Sequence, residues 1–233
     1  MPDDHARQSL AEIYISAGCG RRSGERWRVL DLGCGAGDSV DFFRAVDPAV
    51  QWTGLDLPDS PEVRTRVRDD AEFVTFDGRR IPFAEGAFDL VYCKQVLEHV
   101  HRPEPLLAEV ARVLRPGGSF AGSTSQLEPF HSFSTFNYTP LGLRELLRGA
   151  GLEPVEFRPG IDALVLIGQR FVGHRRPFDR LYARWWGNTS PLNRALDLYA
   201  RVARLDPAAS NAIKLLFCGQ FTFLATRSGP PSA

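Results

Sequence analysis

The first two thirds of the chain alternate between short, continuous apolar runs and stretches in which apolar residues recur every three or four positions. Continuous apolar runs fit strands buried on both faces and the three-to-four spacing fits crossover helices, so the pattern predicts a parallel sheet covered on both sides. The predicted strands are Arg28–Leu32, Trp52–Asp56, Glu72–Phe76, Phe88–Cys93 and Ser119–Ser123. Leu106, Leu107, Val110, Val113 and Leu114 mark a helix that starts at Pro103-Glu104-Pro105 and stops at Pro116-Gly117-Gly118, since proline suits a first turn and glycine a terminus. Thr139 and Pro140 form the N-cap and first position of another helix, which runs through Leu143, Leu146 and Leu147 to Gly151. Five such β-α units in sequence predict a doubly wound α/β sheet.

The rhythm breaks after residue 153. Pro154–Arg158 reads as a sixth strand and Gln220–Arg227 as a seventh, separated by more chain than an ordinary connection needs. Ser190-Pro191 opens a helical pattern with Leu192, Leu196, Tyr199 and Ala203 on one face, and Phe178, Leu181, Tyr182 and Trp185 repeat the spacing upstream. The expectation is one Rossmann-like domain over residues 1–233, with a seven-stranded, mostly parallel sheet and a helical insertion at 160–215 between its last two strands. The insertion would be a cap or a dimerisation element. A short helix is expected near Asp4–Ala17, and a disordered tail over 228–233.

Composition narrows the possibilities. With 233 residues, 43% hydrophobic, the chain is long enough to build a core without disulfides. Its 28 basic and 28 acidic side chains cancel, which argues against general nucleic-acid binding. No apolar run reaches the length of a membrane span and the start is not a basic-then-apolar leader, so the reading is cytoplasmic. Cys19, Cys34, Cys93 and Cys218 form no C-x-x-C pair, which disfavours a thiolate metal site. Residues 160–215 carry nine basic against four acidic side chains. Such a surface suits an anionic substrate or weak contact with an anionic membrane, although a solvated arginine face is the commoner meaning.

The sharpest chemical signal is Val29-Leu30-Asp31-Leu32-Gly33-Cys34-Gly35-Ala36-Gly37-Asp38, a strand entering a glycine-rich turn and then a helix. Glycines there let a ligand approach the backbone. Asp56 ends the second strand, where an acid accepts hydrogen bonds from both hydroxyls of a ribose, and Asp77 ends the third, beside an expected adenine. The G-x-G-x-G spacing and the adjacent Asp38 disfavour a pyrophosphate, and a P-loop is excluded because no Gly-Lys-Ser/Thr follows.

At these residues the sequence resembles the class I S-adenosylmethionine-dependent methyltransferases, in particular the small-molecule branch with a type 11 methyltransferase domain. Five motifs occur in the family's order: the glycine loop, Gly54-Leu55-Asp56-Leu57, Phe76-Asp77-Gly78, Phe88 to Val100 and Leu114-Arg115-Pro116-Gly117-Gly118. The resemblance implies S-adenosyl-L-methionine as cofactor. Gly33, Cys34 and Gly35, with Gly37 behind them, would pass under its methionine part and Asp31 would hold its amino group. Asp56 would take the ribose, Leu57, Asp77 and Gly78 would flank the adenine, and the backbone near Lys94 would complete the cleft.

For an alcohol or phenol acceptor, transfer requires a base, and histidine is the natural candidate. His131 lies among four aromatics in Glu128–Tyr138, directly after the fifth strand, with Tyr138 or Asn137 as a hydrogen-bond donor. His99 follows the fourth strand and is either a packing element or part of the cleft. Some relatives bind a divalent cation through Glu-x-x-Glu-His; here Gln95 replaces the first acid, leaving Glu98 and His99, and no metal is expected. The expected activity is O-methylation of a small or medium-sized acceptor, such as a sugar or specialised metabolite. N- or C-methylation and a non-catalytic cofactor-binding module are the alternatives.

Overall fold

The computed structural model describes residue 1 and residues 8–172 and 190–229. The expected elements at Asp4–Arg7, at Phe178–Trp185 and at the last four residues of the tail lie outside the described residues. In chain order the elements are α1 (Glu12–Ser16), β1 (Arg28–Leu32), α2 (Val40–Val46), β2 (Gln51–Asp56), α3 (Pro61–Arg64), β3 (Glu72–Thr75) and β4 (Phe88–Lys94). A turn of 3-10 helix, Leu97–His99, leads to α4 (Pro103–Val113), β5 (Leu114–Ser125), α5 (Pro140–Gly149) and β6 (Leu152–Pro159). The chain then forms α6 (Ala163–Val172), α7 (Pro191–Val202), α8 (Pro207–Phe217) and β7 (Gln220–Arg227).

One seven-stranded sheet runs in the order β3-β2-β1-β4-β5-β7-β6. β1 to β5 run parallel to one another, and β7 runs antiparallel to both β5 and β6. The doubly wound expectation is met, with the helical insertion returning the chain as the reversed strand. Val29, Leu30 and Leu32 of β1 are fully or almost fully buried, as a strand covered on both faces requires. One face packs Trp27, Phe43 and Tyr92 edge to face, at ring separations of 5.2 and 5.7 Å. The other packs α4 and α5 through Leu106, Leu107, Val110, Leu143 and Leu147.

Four of the described helices start by the same local rule. Ser60, Thr139, Ser190 and Asp206 each precede a proline and accept the backbone N–H three residues on, satisfying an orphan donor of the first turn. β5 begins five residues earlier than expected. Leu114 pairs with Phe88, the register shifts before Leu90, and Gly117 at φ +71° lets the Pro116-Gly117 segment bulge without leaving the ladder. The strand order reverses between β1 and β4, which opens the crevice beyond their C-terminal ends where ligands of such sheets bind.

Candidate active site

The glycine loop leaves β1 over this crevice. Gly33 donates its N–H to Leu55 O at 2.7 Å with φ +72°, and a Cβ there would sit 2.3 Å from Val96 Cγ2. Gly35 adopts φ +52° and Gly37 φ +87°, and a Cβ on Gly37 would lie 2.9 Å from the Phe73 ring. The loop therefore needs glycine both for its backbone angles and for its clearance. Asp56 ties it to β2: one carboxylate oxygen accepts Gly35 N–H and the other accepts Leu57 N–H, each at 2.7 Å. A carboxylate has about four acceptor positions, so each oxygen keeps one free for a hydroxyl.

Asp31 is buried and receives the hydroxyl of Ser39, which itself accepts Trp52 Nε1–H at 3.0 Å. Burial, reinforced by the neighbouring Asp56, outweighs the Ser39 hydrogen bond and pushes the Asp31 carboxyl up to about 7. The Cys34 thiol is pushed up to about 12, first by burial and then by Asp31 and Asp56. It stays protonated and lines the loop without serving as a nucleophile. Leu57 is half exposed and approaches Gly78, where a Cβ would meet Leu57 Cδ2 at 3.3 Å. Asp77 is exposed to solvent and accepts the backbone N–H groups of Arg79 and Arg80 at 2.9 Å each, which hold its carboxyl below the ordinary range. Lys94, at the end of β4, directs its ammonium to Glu12 of α1.

Arg66 was not foreseen. Its guanidinium donates to Gly35 O at 2.9 and 2.6 Å and lies 3.8 Å from the centroid of the Phe73 ring, clamping the glycine loop from the side of α3. Gln95 adopts φ +56°, an uncommon conformation for a residue other than glycine, and its amide donates to Ser123 Oγ at 3.0 Å.

On the acceptor side, the segment after β5 folds back over the turn after β4. His131 and His99 meet edge to face with ring centroids 5.3 Å apart. Burial lowers the pKa of His99. Nδ1 of His131 is buried without a hydrogen-bond partner among the described residues, 3.4 Å from Oε1 of Glu128. Glu98, His99 and His131 each bring one donor atom to within 4.8 Å of the others, and both Glu98 oxygens are engaged, by Thr124 and Ser125 at 3.1 Å each. Phe130, Phe133 and Phe136 are exposed around this group.

Tyr138 does not join it, contrary to expectation. Its ring is buried in the core and its hydroxyl donates to Leu97 O at 3.2 Å, so the side chain is spent on holding the turn after β4. Asn137 donates to Glu128 O at 3.0 Å. Of the basic insertion, Arg170 reaches Glu128 at 3.1 Å and Lys214 pairs with Asp197 at 2.6 Å; Arg175, Arg176, Arg180 and Arg184 lie outside the described residues.

The crevice fits the cofactor that the motifs imply. It offers a carboxyl for a cationic amino group at Asp31, a carboxylate with free acceptor positions at Asp56, a side-chain-free backbone between them, and an apolar surface at Leu57 and Gly78. The family profile of the methyltransferase domain matches residues 30–122. The ubiquinone biosynthesis O-methyltransferase of Bordetella pertussis is 30% identical over 180 residues, 66% of this chain and 73% of that protein. The chain belongs to the class I S-adenosylmethionine-dependent methyltransferases. This methyltransferase is also 38% identical over 121 residues to the fatty-acid O-methyltransferase of Mycolicibacterium smegmatis, covering 51% of this chain and 43% of that one. Among solved structures, the Burkholderia thailandensis 1,6-didemethyltoxoflavin-N1-methyltransferase with bound S-adenosylhomocysteine superposes with a TM-score of 0.55 at 20% identity, covering 94% and 78% of the two chains. That likeness supports the fold alone. No helix among the described residues of the methyltransferase is long and apolar enough to cross a membrane.

Proposed function

We propose that this methyltransferase methylates a hydroxyl oxygen of a small or medium-sized acceptor, with His131 as general base. The observation that carries the reading is the His131 imidazole: its Nδ1 faces Glu128 at 3.4 Å, and the ring stands among exposed phenylalanines directly after β5. A neighbouring carboxylate stabilises the imidazolium that forms when the other nitrogen takes a proton. S-Adenosylmethionine supplies the methyl group, which bonds to the acceptor oxygen as its bond to sulfur breaks and the electron pair stays on sulfur.

In this reading Asp31 holds the cofactor's amino group, and Gly33, Cys34, Gly35 and Gly37 leave room for its methionine part. Asp56 takes the ribose hydroxyls, Leu57 and Gly78 cover the adenine with Asp77 at its edge, and the backbone at Lys94 closes the cleft. In this reading the Glu98, His99 and His131 cluster acts on protons, since Gln95 stands where the relatives that bind a divalent cation carry the first acid and a neutral amide weakens a hard-cation site. Phe130, Phe133 and Phe136 offer the acceptor an apolar surface, which suits an aromatic or lipid-like hydroxyl better than a bare sugar. The O-methyltransferase names of two relatives support an oxygen acceptor. The test is transfer of a labelled methyl group to phenols, alcohols and carboxylic acids, comparing wild type with His131→Ala.

A further inference from the structure

Behind His131 lies a set of buried polar side chains that methyl transfer itself does not require. Glu98 and Glu128 are 0% and 4% exposed, and both contact one hydroxyl. Ser125 Oγ lies 2.7 Å from Oε2 of Glu128 and 3.1 Å from Oε1 of Glu98. A hydroxyl has a single proton to donate. With both carboxylates ionised, one contact would set lone pair against lone pair in a buried site and two like charges would share it, each of which is costly. The geometry resolves if one carboxyl keeps its proton and donates it to Ser125, while Ser125 donates to the other.

The surroundings decide which carboxyl that is. Glu128 receives the Arg170 guanidinium at 3.1 Å and the Gln220 amide at 2.7 Å and faces His131, all of which favour an anion. Glu98 receives its own backbone N–H and the hydroxyls of Thr124 and Ser125 but no cationic group, and burial, reinforced by the charge of Glu128, outweighs these and pushes its carboxyl up to about 7. The remaining titratable groups that face the pair are His99, edge to face with His131, the buried Tyr138 phenol and Cys93 thiol, which feel the Glu98 charge, and Glu62, which acts on His99 from α3.

We propose that Glu98, Ser125 and Glu128 form a carboxyl pair sharing one proton, held on Glu98, and that the single charge left on Glu128 turns Nδ1–H of His131 inward and leaves Nε2 facing the acceptor. The pair stands on geometry alone, and the use of Nε2 rests on the function proposed above. During transfer the acceptor O–H bond breaks and its proton bonds to Nε2. The Nδ1 proton stays on the ring, facing Glu128, and the added proton leaves to water after the product. Glu128 is thus a positioning residue, and Glu98 sets how much negative charge lies behind the base.

The test needs no acceptor, so its failure is separate from failure of the methyl-transfer reading. Infrared difference spectra of the whole protein labelled with carbon-13 glutamate, together with the imidazole resonances of His131, are followed across pH. One protonated buried glutamate is expected at pH 6, told apart by the label from the protonated Asp31, and its band disappears in Glu98→Gln. Glu128→Gln should lower the His131 pKa by about one unit or more, the usual effect of removing a neighbouring carboxylate, and should also lower that of Glu98, because Ser125 then donates to it. If Glu128→Gln does not fold, wild type decides the matter: the His131 resonance must show a second inflection at the pH where the carboxyl band vanishes. The absence of a protonated Glu98 at pH 6, an unshifted His131 in a folded Glu128→Gln, or a single inflection in wild type overturns the proposal.

Discussion

Asp56 accepts the backbone N–H of Gly35 at 2.7 Å, so the acid that ends β2 holds the glycine loop of β1 in place. One side chain thereby shapes the crevice and presents acceptors to it. Asp56→Ala is expected to weaken S-adenosylhomocysteine binding by about 1.5–3 kcal/mol, the usual worth of hydrogen bonds to a charged group, in calorimetric titration. Asp56→Asn should lose less, because the amide oxygen still accepts one N–H. Wild-type affinity in a folded Asp56→Ala protein would remove Asp56 from the site.

Gly33 has the least room of the loop glycines, with φ +72° and Val96 Cγ2 at 2.3 Å from its missing Cβ. Gly33→Ala combines backbone strain with overpacking and should cost about 2–4 kcal/mol of stability, read as a lower urea midpoint. A companion Val96→Ala change should recover the packing share of that loss and leave the strain.

The pH dependence of cofactor binding follows from Asp31, whose carboxyl is raised to about 7 by burial. The free protein is stabilised by neutral Asp31 fully below the ordinary carboxylate range, and that stability is lost as the pH rises through 7. Binding of the cationic amino group runs the other way, because it needs the carboxylate. Affinity for S-adenosylhomocysteine should rise up to about tenfold per pH unit below 7 and level off above it. Calorimetry in buffers of different ionisation enthalpy should show a proton released on binding at pH 6, and pH-independent affinity with no release would contradict the assignment.

Much of this site was legible because its signals are local. Thr139 and Ser190 announce their helices within four residues, and Gly33, Gly35 and Gly37 stand next to the strand that they terminate. Glu128 was legible only as the first residue of an aromatic segment, because its partners Arg170 and Gln220 lie 42 and 92 residues away. Separation in sequence also hid Arg66, 31 residues from Gly35, whose role exists only once the segment after α3 is folded against the glycine loop. Tyr138 was misplaced for the opposite reason: the segment folds back far enough to bury it, and a buried phenol spends its hydroxyl on the nearest carbonyl, Leu97 O.

Glu128→Gln should lower turnover by roughly tenfold or more, since it removes the charge that stabilises the imidazolium, the lower end of general-base effects being about a hundredfold for the base itself. Affinity for S-adenosylhomocysteine should not change, and a fall in that affinity would place Glu128 in the cofactor site instead.

The most direct measurement is single-turnover transfer of a labelled methyl group from saturating S-adenosylmethionine to a phenolic acceptor found by screening, in wild type and His131→Ala, with S-adenosylhomocysteine affinity measured on both proteins. A fall of roughly 100-fold or more in the transfer rate, with unchanged affinity, is the expected result. Equal rates in the two proteins would contradict the assignment of His131 as the base.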